Sequence, residues 1–450
     1  MMFNAWRLPI NASTLPLLFC LLSPLIRASE SATLPGSTLE DFFTSAINFS
    51  PELRIAEENL NIGGSRKKVA NGQLLPQLNA GSSISDNRLN QLNQSRNFDG
   101  RRHYVALTQT LFNWQQFSAR NRAYLIEDQL EEEYYYQLAL ILTDVADRYF
   151  SVLQSEDALG SIESEIEAVS NQLDQIQSLY DRQLAQITDL YQGQASLAAS
   201  QAEKLRLEAD LALTRETLRS ISGIEVGPLY VLEDEAVIPT LEFSQQYYLQ
   251  QAQQKNHQIL AGEYALKAAD EGVSERKGAY MPRVSLIAQR QDSDVGFDNL
   301  PINRTDNTYI GLDVSIPIYA GGANRASVSE ALSQRNIAEY ELRAVQLQVR
   351  ERVRGAHLQV QASGVQTQAA EILLESTALA SEAMQQGFAL GTVTSVDVLN
   401  ALRDQYQAER EFQRTRYEHI RYLLLLKRET GTLSAEDMLE IGSWLEPPQP

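Results

Sequence analysis

The stretch YIGLDVSIPIYAGGANRASVSEA, Tyr309 to Ala331, changes its hydrophobic period partway along. Its first half alternates apolar residues with smaller or polar ones, which is the two-residue period of a β-strand. Pro317 and Gly321-Gly322 interrupt this pattern, and a sequence of Ala, Ser, Glu, Gln and Arg without helix breakers follows. The stretch therefore predicts a strand that leads, through a proline and a double glycine, into a very long helix.

An earlier segment, YVALTQTLFNWQQFSARNRA from Tyr104, has the same order of patterns. The two halves of the chain also match elsewhere: Pro76 corresponds to Pro282 at an offset of 206, and Gly223 to Gly431 at an offset of 208. Matches at a nearly constant offset are typical of an internal duplication. Each half reads as a helix, a strand, a polar loop, a strand, a very long helix, a turn and a returning helix.

The predicted helices differ greatly in length. The uninterrupted patterns at about 114–182 and 322–390 each correspond to about 100 Å of α-helix, so each needs partners far beyond a globular core. A seven-residue spacing indicates coiled-coil-like packing, although an ordinary helical bundle also fits it. The leucines on this spacing are Leu190, Leu197, Leu211 and Leu218. The other predictions are opening helices at 51–73 and 257–279, strands at 77–88, 103–113, 283–293 and 308–319, and returning helices at 188–222 and 396–430.

The first residues have the pattern of a secretory signal peptide. Arg7 supplies a positive start, Leu15 to Ile26 supply a short apolar stretch, and Ala28 supplies a cleavage point. Cys20, the only cysteine, lies inside this segment, so the exported chain would have neither disulfides nor cysteine-ligated metal. The predicted organisation is a signal peptide at 1–28, a first repeat at 38–223, a linker at 224–250, a second repeat at 251–431 and a tail at 432–450.

The composition argues against two classes of function. A net charge of -20 and a pI of about 4.7 do not suit nucleic acid, which is held by basic patches. The four histidines are scattered, without the close pairing that holds a metal, and there is no phosphate-binding glycine loop. We therefore expect neither an enzyme nor a cofactor.

The predicted strands have a length that suits a membrane crossing, since transmembrane β-strands need about 9–11 residues. After residue 28 the sequence has no apolar run of about 18 residues, as a spanning helix would require. Four strands cannot close a barrel, and an open sheet edge cannot face lipid because its backbone groups would lack partners. If these strands cross a membrane, several chains must share one barrel. Pro317 and Gly321-Gly322 would then mark the junction where a tilted strand turns into a helix.

Seven segments, in this order, resemble the TolC family of outer-membrane efflux and secretion ducts: SPELRIA, LLPQL, LTQTLFN, YMPRVSL, GLDVSIPIYAGG, GFALGTVTSVDVLNA and ETGTLSAEDML. The resemblance implies a mixed α and β membrane protein. It implies a homotrimer whose twelve strands, four from each chain, form one β-barrel among the lipids of a Gram-negative outer membrane. The helices would continue this barrel as a long periplasmic α-helical barrel, with the linker and the tail around its middle. Such a duct joins an inner-membrane transporter through a periplasmic adaptor protein, and it exports drugs, other small molecules or, in type I secretion, polypeptides.

The resemblance also implies that the helical hairpin tips form the periplasmic entrance of the duct. Asp397 occupies the position of the family's aspartate ring, where three carboxylates around one axis would attract cations. Asn400, one helical turn further on, is neutral and would weaken such a filter. Thr188 and Asp189 match positions that hold the entrance closed in relatives.

Two partners of these closing residues are replaced in this chain. Phe388 stands where the family has a tyrosine, and Val393 stands where it has an arginine, so the family's polar links to Asp189 cannot form with them. Either another contact holds the entrance closed, or the duct rests more loosely closed. For Asp189 and Asp397 the alternative is a solvated carboxylate at a helix start, favoured by the helix dipole.

Adaptor contacts are expected at the two hairpin turns. The second turn keeps the family's glycine, whereas the first has a glutamine in its place, which predicts unequal docking grooves. The residues concerned are Gln183, Leu184, Leu390, Gly391 and Thr392. A periplasmic coiled-coil scaffold without a channel is the alternative function, and it would not require detergent for extraction from membranes.

Overall fold

The computed structural model describes residues 37–448 except 92–93, 234–235, 237, 242 and 295–304. The predicted signal peptide at 1–28 lies outside the described residues, as do the last two residues of the predicted tail. The helices are α1 Leu39–Phe49, α2 Pro51–Gly72, α3 Trp114–Asp181, α4 Ile187–Ser222, α5 Gln245–Lys255, α6 His257–Lys277, α7 Ala323–Ala389, α8 Ser395–Thr430 and α9 Ala435–Gly442. The strands are β1 Gln77–Gln91, β2 Gln94–Phe112, β3 Val231–Leu232, β4 Arg283–Ser293, β5 Thr305–Ser315 and β6 Leu445–Glu446.

The predicted order of elements is confirmed in both halves. In the first half α2, β1, β2, α3 and α4 follow one another, and in the second half α6, β4, β5, α7 and α8 do so. The two long helices have 68 and 67 residues, which corresponds to about 100 Å each. None of the helices in the described part of the chain is both long enough and apolar enough to cross a membrane.

The four long strands form one antiparallel sheet in the order β1-β2-β4-β5. Residues paired across neighbouring strands lie on the same face of a sheet, so the register assigns each residue to a face. One face carries an apolar row made of Leu78, Leu107, Ala288 and Ile310. The opposite face carries a more polar row made of Asn79, Ala106, Gln289 and Tyr309. Strands β1 and β5 are the edges of this sheet.

The two largest errors in the predicted strand boundaries concern the start of β2 and the end of β5. Strand β2 begins at Gln94 rather than near 103, because the backbone ladder with β1 continues through polar residues that give no alternating apolar signal. Strand β5 ends at Ser315 rather than near 319. Pro317, which has no backbone N–H, lies two residues beyond the strand and does not take part in its ladder.

The two junctions between strand and long helix differ in construction. In the first, Asn113 is the only residue between β2 and α3, and its side chain accepts a hydrogen bond from the backbone N–H of Gln116. In the second, Gly321 and Gly322 have φ angles of 58° and 84°, which a residue with a side chain rarely adopts. Gly322 is also the residue that precedes α7. These are the unusual dihedrals that a double glycine permits.

The helices are arranged side by side in the same order as the strands. Helix α3 packs against α2 and α4 on one side and against α6 and α8 on the other, and α7 packs against α6 and α8. Helices α2 and α4 therefore lie at one edge of this helical layer, and α7 lies at the opposite edge. Because α2 leads into β1 and β5 leads into α7, the edges of the helices continue the edges of the sheet.

The returning helices end where the opening helices begin. Gly431 follows α8 with φ 69°, and a Cβ there would collide with the carbonyl oxygen of Lys255, one residue before the N-cap of α6. Gly223 follows α4 with φ 73°, and a Cβ there would lie 2.6 Å from the ring of Phe49. The same device thus places the end of α8 beside the start of α6 and the end of α4 beside the start of α2.

The largest buried cluster surrounds the middle of α3. Tyr149 is fully buried there, and its hydroxyl donates hydrogen bonds to the carbonyl oxygens of Ser37 and Tyr230, at 3.2 and 2.9 Å. Burial raises the pKa of this phenol, which keeps it a neutral donor. Residues of the linker and the tail complete the cluster, and strands β3 and β6 pair with each other beside it.

Replacing Gly431 by alanine is expected to lower the thermal stability of the purified protein. The new side chain would meet both an unfavourable φ, which costs about 1–2 kcal/mol, and the backbone of Lys255. Gly391→Ala is the matched control, because Gly391 has φ 74° but nothing lies within 4 Å of the added Cβ. Circular dichroism melts should give a distinctly larger loss for Gly431→Ala, and equal losses would contradict the proposed collision.

Candidate functional site at the helical hairpin tips

The two hairpin turns follow the same backbone path. In the first, Gln183 has φ 65°, its N–H donates to the carbonyl of Tyr180, and the N–H of Leu184 donates to the carbonyl of Leu179, both at 2.8 Å. In the second, Gly391 has φ 74°, and the N–H groups of Gly391 and Thr392 donate to Phe388 and Gly387, both at 2.9 Å. Both are Schellman turns with a left-handed residue after the helix. Gln183 thus adopts the same left-handed conformation as Gly391. The backbone path of the first turn is preserved, but a side chain in this conformation adds strain.

Each turn exposes a leucine. Leu184 is 72% exposed in the first turn, and Leu390 is 80% exposed in the second. Each lies beside the left-handed residue of its turn, at Gln183 and Gly391. The tips therefore present apolar side chains to their surroundings, which suits contact with another protein.

Asp397 is a helix-capping residue. Its backbone N–H donates to Oγ1 of Thr394 at 3.3 Å, and its carboxylate accepts from the backbone N–H and the hydroxyl of Thr394, at 3.3 and 2.6 Å. This reciprocal capping box fixes the first turn of α8. Asp397 and Asn400 are both exposed, while the intervening Val398 and Leu399 are buried. Each side chain sits on the face opposite to the packed one.

Asp189 lies in the first turn of α4, at the place that corresponds to Asp397, but without a capping box. Its backbone N–H donates to the carbonyl of Gln186 at 3.1 Å, and Gln186 makes no capping bond through its side chain. The hydroxyl of Thr188 reaches the side-chain oxygen of Gln186 at 3.4 Å. The two hairpins therefore start their returning helices with different local stabilisation.

Phe388 and Val393 make different contacts. Phe388 packs against a cluster of apolar residues from both hairpins, which we name the tip cluster. Val393 lies over Gly387 of its own turn, where a Cβ would come within 2.6 Å of the Val393 methyl group. The tip cluster consists of Val169, Leu173, Ile176, Tyr180, Leu190, Leu197, Leu399 and Phe388.

The sequence pattern did not predict the tip cluster as a contact between hairpins. Leu190 and Leu197 belong to the seven-residue spacing noted above, so the sequence indicated the row that α4 contributes. Their partners Val169 and Ile176 share a seven-residue spacing on α3. Matching these two rows would have placed α3 against α4, but the contribution of Leu399 depends on the tertiary packing of α8.

Further from the turns, the contact between α3 and α8 is polar. Glu165 is buried and accepts hydrogen bonds from the hydroxyl of Ser200 on α4 and from the guanidinium of Arg410 on α8, both at 2.9 Å. Ser161 donates to the carbonyl of Tyr406 and to the carboxylate of Glu409. The groups between α3 and α8 thus change from charged and polar to apolar towards the tips.

The chain belongs to the outer membrane efflux protein family, whose model matches residues 43–224 and 248–432. The two matched segments correspond to the two halves of the duplication. The chain is 27% identical to the outer membrane protein TolC of Vibrio cholerae, over 94% of this chain and 98% of that protein. It is 23% identical to the alkaline protease secretion protein AprF of Pseudomonas aeruginosa, over 89% of this chain and 85% of that protein.

Solved structures have the same fold. The outer membrane protein VceC of Vibrio cholerae superposes with a TM-score of 0.74 at 18% identity, over 87% of this chain and 96% of that chain. The channel protein CusC superposes with a TM-score of 0.77 at 16% identity, over 89% and 93%. The resemblance to the TolC family is confirmed. The protein is therefore an outer-membrane efflux or secretion channel that extends into the periplasm, and it is not an enzyme.

Replacing Gln183 by glycine is expected to stabilise the first hairpin turn. A side chain in the left-handed conformation costs about 1 kcal/mol or more, and glycine removes this cost. Hydrogen exchange of the backbone amides at 180–186 should slow by about fivefold. Arg182→Gly is the control, because Arg182 has φ -89° and glycine relieves no left-handed strain there. A similar slowing in both variants would contradict the assignment of strain to Gln183.

Proposed function

We propose that three copies of this chain form one duct across the outer membrane and the periplasm. The duct receives its cargo from an inner-membrane transporter through a periplasmic adaptor protein. The open sheet is the observation that carries this proposal. Its edge strands, β1 and β5, have no further strand beside them among the described residues. In lipid such edges need partners, and β5 of one copy can supply them to β1 of the next.

The helical layer supports the same assembly. Helix α7, at one edge, carries a row of apolar residues at seven-residue spacing, each more than half exposed: Leu358, Val365, Ile372 and Leu379. Helix α2, at the opposite edge, carries a row on the same spacing: Ile55, Ile62 and Val69. Rows of this kind pack against other helices in a coiled-coil arrangement. Neighbouring copies would cover both rows at once.

The faces of the sheet support an orientation in the barrel. The face with Leu78, Leu107 and Ile310 would contact lipid, and the face with Asn79 and Gln289 would line the lumen. Transmembrane barrels alternate apolar outward residues with polar inward residues in this way. Twelve strands, four from each copy, would enclose the lumen.

The cargo belongs to one of two chemical classes. Relatives are named for each: AprF of Pseudomonas aeruginosa is an alkaline protease secretion protein, and SrpC of Pseudomonas putida is the outer membrane protein of a solvent efflux pump. The match to AprF covers 89% of this chain, and the match to the outer membrane efflux protein BepC of Brucella suis covers 92%. Polypeptide secretion and small-molecule efflux are therefore both candidate functions.

The hairpin tips supply the proposed entrance and the proposed docking surface. Asp397 would form a ring of three carboxylates around the axis, with Asn400 and Asp189 near it. Leu184 and Leu390, the exposed apolar residues of the turns, would contact the adaptor protein. The linker at 224–250 and the tail at 432–450 would form a belt outside the middle of the helical barrel, where both pack against α3.

Introducing a charge into the exposed row of α7 is expected to prevent assembly. Val365→Glu would place a carboxylate in an interface between copies, where burying an unpaired charge is strongly unfavourable. Size-exclusion chromatography with light scattering in detergent should give a trimer for the parent chain and mostly monomer for the variant. Gln366→Glu adds the same charge to an exposed neighbour on another face of α7 and should leave the trimer intact. A trimeric Val365→Glu protein would contradict the proposed interface.

Removing the charge of Asp397 is expected to reduce the cation preference of the channel in planar bilayers. Asp397→Asn keeps an oxygen for the capping box, so it isolates the charge, and the cation-to-anion permeability ratio should fall by about twofold or more. Asp397→Ala also loses the cap, at a cost of about 1 kcal/mol. Glu436→Gln on α9 removes an equal charge far along the chain and is the control. If only the alanine variant changes the permeability ratio, Asp397 acts through the helix cap.

A further inference from the structure

We propose that the closed entrance of this channel is held by apolar packing between its two hairpins, with Phe388 as a principal contact of the second hairpin. This inference rests on the proposed function, since it assigns the closing contact of the same entrance. Phe388, in the last turn of α7, packs against the tip cluster, to which α3 and α4 of the first hairpin supply six side chains and α8 of the second hairpin supplies Leu399. Leu399 and Phe388 are the side chains that the second hairpin brings to this packing.

Leu399 connects this packing to the proposed ring. It is 4% exposed and belongs to the tip cluster, while Asp397, two residues earlier, is exposed on another face of α8. Movement of α8 that takes Asp397 away from the axis must also move Leu399 relative to Val169 and Ile176 on α3. Opening the ring and separating the apolar contact are thus one motion.

By the resemblance, Phe388 and Val393 stand where the family has a tyrosine and an arginine. Val393 packs on Gly387 of its own turn, whereas Phe388 packs against the tip cluster, which contains residues of both hairpins. The polar contacts of Glu165 with Arg410 lie about three helical turns from Ile176, further from the tip. The closing contact next to the entrance is therefore apolar, although the charged groups of Glu165 and Arg410 join α3 and α8 further from the tip.

Gln172 opposes this packing. It lies on α3 between Val169 and Ile176, is 5% exposed, and its amide nitrogen has no hydrogen-bond partner among the described residues. A buried amide without a partner is unfavourable, and separation of the hairpins would return it to water. The buried amide therefore lowers the free-energy cost of separating the hairpins.

An apolar closing contact also has a distinctive response to salt. Ion pairs at a protein surface weaken as ionic strength rises, because the screening length falls from about 10 Å at 0.1 M to 3 Å at 1 M. Packing of apolar side chains is not screened. The closed entrance should therefore persist in high salt.

Single-channel conductance of the purified trimer in planar bilayers tests the proposal through two opposite substitutions. Phe388→Ala should raise the conductance by about threefold or more, and Phe388→Leu, which keeps an apolar side chain, should stay close to the parent. Gln172→Leu should lower the frequency of spontaneous opening, because it replaces the unpartnered amide with an apolar group. Leu439→Ala, an exposed truncation on α9, is the control and should match the parent. Trimer formation on gels verifies that each variant assembles.

The outcomes separate the closing contact from the channel itself. If the parent forms channels and Phe388→Ala conducts as the parent does, the apolar contact is wrong and the duct stands. If the parent conductance, divided by that of the bath, rises steeply between about 0.1 and 1 M salt, charged groups hold the entrance and the proposal is overturned. If the folded, trimeric parent forms no channels at all, the proposed function fails instead. A normalised parent conductance that does not rise with salt, with the expected changes in both variants, supports the closing role of the tip cluster.

Discussion

The backbone groups at the edges of a sheet are the constraint on which this molecule depends. Strands β1 and β5 leave a row of N–H and C=O groups without partners in the described part of the chain, and lipid cannot satisfy them. The helices have a similar requirement. Helices α2 and α7 continue the same two edges, and each carries a row of exposed apolar side chains that needs a packing partner. A single chain thus has two open edges, each formed by a strand of the sheet and by the helix that continues it. Both the hydrogen bonds of the sheet and the packing of the helices call for another copy at the same two edges.

Much of this architecture could be predicted from the sequence because long elements give strong periodic signals. The bounds predicted for α3 and α7 differ from those observed by one residue at most, and the offsets near 206 to 208 revealed the duplication. Strand ends were less predictable. The first nine residues of β2 are mostly polar, so Gln94 and its neighbours give no apolar alternation. Apolar residues continue beyond the end of β5, which explains the overextension to Tyr319.

The hairpin tips were predicted in position but only partly in chemistry. The sequence placed Asp397 at a helix start, and the structure adds that its carboxylate is engaged with Thr394 in a capping box. It could not place Phe388 against the cluster that contains Val169 and Ile176, because those residues are more than 200 positions away along the chain and the cluster arises from the packing of two hairpins. Likewise, no local pattern announces that Gln183 adopts the left-handed conformation, since glutamine rarely does so. Contacts between residues that lie far apart in the sequence could therefore not be predicted from local sequence patterns.

The exposed apolar row on α7 has a consequence for how the protein is made. A newly exported chain presents Leu358, Val365, Ile372 and Leu379 to water, together with two unpaired strand edges, and such surfaces associate readily with unrelated chains. Its folded state then becomes dependent on the concentration of its own copies, because burial of these rows belongs to assembly. The fate of the free subunit would depend on whether assembly with other copies is faster than non-specific association with other proteins. The rate of synthesis, which sets the concentration of free copies, would then influence how much of the protein reaches the membrane as an assembled channel.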